Sequence, residues 1–156
     1  MGLRVEDVRE EDGICYLDIV GHSGRRVKNL GSNRRVPVAS ALVRLGFLDY
    51  AARTQSAAEG RPLFDTSAPT FGHWIGEHLR RIGIVDRRLV FHSLRGTFKT
   101  ACRDAGVPEE VHDALTGHAN GSVGRSHGTV SLRVKRDAIE RLRFEGIDTD
   151  YRGDRT

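Results

Sequence analysis

The chain has 156 residues, 38% hydrophobic and 29% charged, a length and balance that suit one globular domain with its own core. No apolar run approaches the roughly 18 residues of a membrane span and no signal peptide opens the chain, which argues against membrane insertion and secretion. The net charge is +4, from 25 Lys and Arg against 21 Asp and Glu, a basic balance compatible with a polyanionic partner.

In chain order, residues 13–20 (GICYLDIV) predict a strand. Residues 25–29 (RRVKN) and 34–38 (RRVPV) predict two more, joined through Gly31-Ser32-Asn33, so that a small antiparallel sheet carries Lys28 just before its turn. Arg25, Arg26, Lys28, Arg34 and Arg35 crowd this hairpin, as either a solvated edge or a face for a polyanion. Cys15 and Cys102 form no metal-ligand spacing and read as the free thiols of a cytoplasmic protein. Residues 40–58 predict a helix with Ser40 as N-cap, Gly46 as a break and Gly60 as stop. Residues 61–64 (RPLF) predict a short extended piece.

From Ser67 to Ile82 the residues Phe71, Ile75 and Leu79 recur in steps of four, which predicts an amphipathic helix. Trp74 is expected in its core; His73 and His78 are expected on the surface or between helices. Ser93 is expected to cap a helix that runs to Asp104 and stops at Gly106. Its inward side is Leu94, Phe98 and Ala101, with Arg95, Lys99 and Arg103 in a separate row. Pro108 suits the first turn of the next helix, with Val111, Ala114 and Leu115 inward and Gly117 at its end. Loop 119–130, with Gly121, Gly124 and Gly128, is expected to be mobile. Residues 131–143 predict a last helix on Val134, Ala138, Ile139 and Leu142, and 145–156 a loose tail. The expected class is α+β, mostly α, with the helices of 68–143 enclosing a basic concave face.

Chemistry concentrates between Phe91 and Gly128. Arg95 offers a bidentate guanidinium fork, and His92 stands three residues earlier on the same turn. His118 follows a helix-ending glycine, so a turn sets its imidazole. Lys28, near a hairpin tip, can deliver a proton to a leaving oxygen. One Arg, two His and one Lys around a phosphate make a metal-free phosphoryl-transfer site. There is no carboxylate cluster suited to Mg²⁺ and no GxxxxGK[ST] loop for a nucleotide. A metal hydrolase built on His92, His112 and His118 is the competing reading, with poor spacing and no HExxH pattern.

The stretch HSLRGTFKTACRDAGVPEEVHDALTGHANGSVGRSHG resembles the catalytic core of tyrosine recombinases, the phage-integrase family. That family carries HxLR, then a Gly-His pair, then a nucleophilic Tyr. Here His118 follows Arg95 by 23 positions (118 − 95), and position 127 follows His118 by 9 (127 − 118). LRVEDVREEDGICYLDIV, VKNLGSNRRVPV and LVRLGFLDYA are similar to the segments the family places upstream, so the resemblance spans residues 3–144. It implies a partial catalytic domain over 1–144 and a tail over 145–156.

The resemblance implies that Arg95 clamps the non-bridging oxygens of a scissile DNA phosphate. His92 and His118 would hydrogen-bond the same group, and Lys28 would protonate the departing 5′-hydroxyl. Lys99, Arg103 and Arg125 are candidate contacts to neighbouring phosphates. The implied partner is double-stranded DNA, with a homo-oligomer on that DNA and with no metal, nucleotide cofactor or membrane. Two departures stand against cleavage. His127 occupies the Tyr position, and Tyr16, Tyr50 and Tyr151 lie outside the motif. The family's first catalytic Arg belongs to a helix expected upstream of Met1, and its N-terminal DNA-gripping domain is not in this sequence; Arg4 matches the segment after that motif. Gly96 replaces a His common after the core Arg. The expectation is a recombination and integration domain of a mobile element that does not cut DNA as given. A non-catalytic DNA-binding or regulatory remnant, a phosphohistidine route through His127, and a Tyr supplied by a neighbouring protomer are the alternatives.

Overall fold

The computed structural model describes residues 2–20, 33–57, 60–86, 88–117 and 130–144. Strand β1, Val8–Glu11, turns at Asp12-Gly13 into β2, Ile14–Ile19, and β3, Arg34–Pro37, completes an antiparallel sheet in the order β1-β2-β3. Both turn residues have positive φ, 51° at Asp12 and 72° at Gly13. That is the requirement of a two-residue hairpin whose twist matches the strands, and Asp-Gly is a favoured pair for it. The register sets Glu11 opposite Ile14 and Ile19 opposite Arg34. The predicted strand at 13–20 and the RRVPV strand are therefore present. β1 was not expected, and the 25–29 strand and its turn lie outside the described residues.

Among the described residues six α-helices follow: α1 Ser40–Arg44, α2 Phe47–Ala57, α3 Ala68–Arg81, α4 Ser93–Asp104, α5 Glu109–Thr116 and α6 Leu132–Arg141. The class is α+β with more helix than strand, as expected. Gly46, at φ +87°, divides the predicted 40–58 helix in two. Residues 61–64 lie along the start of the chain: Leu63 donates its N–H to the Leu3 carbonyl at 2.7 Å, and Arg4 bridges Pro62. None of the described helices is long and apolar enough to cross a membrane. The 145–156 tail lies outside the described residues.

The core has two centres. The larger joins Cys102 of α4, Val111 and Leu115 of α5, and Ala138 and Leu142 of the α6 region, with Val36 of β3 against them. The smaller gathers Val5, Ala51 and Leu63, with Leu17 and Phe47 beside them. Leu63 is wholly buried.

Several expectations are corrected. Ser40 is the first residue of α1, not its cap; Ala39 holds the cap position without a side-chain bond. Ser40 instead donates from its N–H and Oγ to the Glu140 carboxylate, at 2.7 and 2.6 Å. A carboxylate on α6 thus satisfies an N–H that a local cap would have taken. Ser93 likewise lies inside α4: its Oγ accepts from the Val90 N–H at 3.1 Å, and His92 is the cap residue. Pro108 caps α5 rather than entering its first turn. Ser67 and Ser131 are genuine caps of α3 and α6, each accepting from the backbone N–H three residues on.

Trp74 is 53% exposed, not core, and α3 buries no residue. Its ring lies 5.8 Å from Phe71 and 5.3 Å from His78, and Phe71 meets Phe91 edge-on at 5.1 Å. The apolar side of α3 therefore stacks on its own residues and on Phe91, and is otherwise uncovered enough for Ile75 and Leu79 to line a groove. Leu94 and Val134 are also exposed, because their helices turn Ala101–Cys102 and Ala138–Leu142 to the core.

Candidate functional site

The site is built where α5 ends. Gly117 closes that helix at φ +71°, and its N–H bonds the Asp113 carbonyl at 2.8 Å. A left-handed residue here suits glycine because a Cβ would crowd the carbonyl. A second reason is steric. A Cβ at Gly117 would come within 2.8 Å of Arg34 Nη1 and 3.3 Å of Arg34 Cδ and Cζ. The Arg34 guanidinium thus lies in space that a Cβ here would share with it.

Arg95, on the first turn of α4, reaches the same helix end. Its Nη2 donates to the Thr116 carbonyl at 2.7 Å across 21 residues of sequence. The HxLR half of the motif therefore meets the backbone just before the Gly-His half. Both Arg34 and Arg95 are half-buried. Burial and the neighbouring Arg95 charge lower the proton affinity of the Arg34 guanidinium.

A third cation stands behind β3. Lys135 on α6 is only 7% exposed, and its Nζ donates to the Arg35 carbonyl at 3.2 Å. Burial, then the charges of Arg35 and Arg34, hold its pKa below the ordinary lysine value. Sequence reasoning assigned no role to Lys135 or to Arg34 individually. A signal for Lys135 exists: it precedes Ala138 and Leu142 at the i, i+3, i+7 spacing of one helix face.

The remaining predicted residues distribute as follows. His92 is exposed and lines a groove of about 860 Å³ between α3 and residues 84–92, with Ile75, Leu79 and Phe91. Lys99 approaches buried Asp113 at 3.6 Å and Arg103 is exposed. His112 is buried with its Nδ1 3.0 Å from Asp113 Oδ1, outside hydrogen-bond alignment. Among the described residues no three His, Cys, Asp or Glu side chains are grouped as for a metal ion. Lys28, His118, Arg125 and His127 lie outside the described residues, as does loop 119–129. The structure therefore brings Arg95 to the Gly117 turn, adds Arg34 and Lys135, and leaves His92 facing the α3 groove.

Two guanidiniums at one helix C-terminus are chemically specific. The last carbonyls and the helix dipole attract cations there. Two guanidiniums drawn to one such end present planar forks that fit a tetrahedral oxyanion. Comparison of the chain with protein-family models, curated proteins and solved structures yields no significant match.

Proposed function

We propose that this chain is a tyrosine-recombinase-type catalytic domain that holds a phosphate of a DNA backbone and, as it stands, does not cleave it. One observation carries the reading. The Arg95 side chain of the HSLR motif hydrogen-bonds the Thr116 carbonyl, next to Gly117 of the Gly-His pair. Arg95 supplies the fork for the non-bridging oxygens, and charge-assisted bonds of this kind are about twice as strong as neutral ones. By the resemblance His118 would donate to the same group, and Lys28 would act as the acid only where a nucleophile displaces the 5′-oxygen; His92 lines the α3 groove instead. Lys99, Arg103 and Arg125 meet flanking phosphates. His127 stands where the family has its nucleophile, and without a phenol there no 3′-phosphotyrosyl link forms. Neither metal nor nucleotide enters this chemistry. Two unpaired thiols, Cys15 and Cys102, accord with work in the cytoplasm on double-stranded DNA, as a homo-oligomer on that DNA.

The test is duplex binding across a salt series. Log affinity should fall linearly with log salt, and Arg95→Ala should weaken binding about tenfold or more. Salt-insensitive binding, or full affinity in Arg95→Ala, overturns the reading. With a nicked duplex that traps covalent intermediates, the unmodified chain should give no denaturant-stable adduct; a strong adduct removes the claim of inactivity. A second reading, a DNA-binding or regulatory remnant of a mobile-element integrase, is favoured by His127 itself. It predicts that the chain stays inert even when His127→Tyr is combined with an upstream helix carrying the family's first arginine, where the catalytic-domain reading predicts an adduct.

A further inference from the structure

Strand β3 carries a cation that the recombinase-like motif does not assign. Arg34 begins that strand, opposite Ile19, and its guanidinium lies beside Gly117, where a Cβ would come within 2.8 Å of Nη1. Arg95 reaches the adjacent residue, Thr116, from α4. Two guanidiniums from distant parts of the chain are therefore seated on consecutive residues of one helix end. Lys135 sits behind them and ties β3 to α6 through the Arg35 carbonyl. The two positive charges act on each other, and two forks at one helix end offer donors that fit the oxygens of a phosphate.

Resting on the phosphate reading above, we infer that Arg34 is the second guanidinium of the clamp. Arg34 and Arg95, held against Gly117 and Thr116, take oxygens of one phosphodiester group. Gly117 then has two duties: it supplies the left-handed turn, and it leaves the space through which Arg34 reaches the anion. Lys135 is a positioning residue that holds β3 so that Arg34 points there.

The experiment compares the unmodified chain with Arg34→Gln, Arg34→Lys and Arg88→Gln, the last removing a fully solvated arginine of equal charge. In one arm, thermal unfolding is followed in inorganic phosphate and in chloride at matched ionic strength. In the other, a short duplex is titrated by fluorescence anisotropy. Phosphate should raise the melting temperature of the unmodified chain and of Arg88→Gln beyond chloride, because a ligand bound only by the folded state stabilises it. Arg34→Gln should lose that increment and about tenfold in duplex affinity. Arg34→Lys keeps the charge but not the fork, so it should lose most of the phosphate increment; it also serves if Arg34→Gln does not fold. An undiminished increment in Arg34→Lys or Arg34→Gln overturns the inference, as does an equal loss in Arg88→Gln. A phosphate increment that depends on Arg34, without duplex binding, leaves the clamp standing and removes the DNA reading instead.

Discussion

At the scale of single residues, burial decides which ionisable groups are available. Cys102 is fully buried, and burial pushes its thiol above the ordinary value. Cys15 is only half-covered, and its thiol is raised first by burial and then by the adjacent Glu10 carboxylate, whose oxygen is 3.8 Å away. Thiolate is the reactive form, so both should be slow, with access setting the order. Alkylation of the native chain followed by peptide mass spectrometry should modify Cys15 well before Cys102. Equal rates would mean that the α4–α5–α6 core opens freely.

Lys135 makes a second prediction at this scale. Its folded pKa is below the ordinary 10.5, so between those two values the unfolded chain binds more protons than the folded one. Stability from this group therefore increases as pH rises through the folded value and levels off near 10.5. The penalty is fully present at lower pH. In Lys135→Met the penalty is gone at every pH. Denaturant titrations should show the difference between unmodified chain and variant shifting in favour of the unmodified chain as pH rises toward 10. A difference that stays constant would show that Lys135 titrates normally.

At the scale of elements, helix boundaries were legible because glycines at 46, 106 and 117 and serines at 67 and 131 have local conformational reasons to be there. Ser40 and Ser93 misled the cap assignments for a physical reason: their partners are a carboxylate 100 residues away and the preceding turn, respectively. β1 was missed although Asp12-Gly13 carries the hairpin signal, because the run VREE has no apolar alternation and three of its residues face solvent. α3 is the instructive case. Its four-residue apolar periodicity is real, yet periodicity states only which residues share a face and not whether anything covers it. Trp74→Ser should therefore change unfolding free energy by no more than about 0.5 kcal/mol, as for other exposed sites. Chemical denaturation would measure this, and a loss above about 2 kcal/mol would place Trp74 in a core.

At the scale of the whole molecule, the α+β class was readable from residue order, but the company that Arg95 keeps was not. Arg34 is brought to the same helix end, and Lys135 to the back of β3, by a sheet register and a helix-to-strand contact between residues far apart in sequence, which no local pattern encodes. Charge clustering on paper made Arg25, Arg26, Lys28, Arg34 and Arg35 equivalent; the fold distinguishes Arg34, at the helix end, from Arg35, which pairs with Glu11 at 2.9 Å on the surface.

The bonds that Ser40 donates to Glu140 and that Lys135 donates to Arg35 each span 100 residues. A chain leaving the ribosome N-terminus first must therefore display β3 and α1 long before the segment that secures them has been synthesised. Closing so large a loop carries an entropic penalty that local contacts do not offset, so this domain should acquire its final form late and as a unit. Nascent chains halted before residue 131 would expose the flank of the sheet that α6 covers, which makes this stage of translation the one most dependent on chaperones.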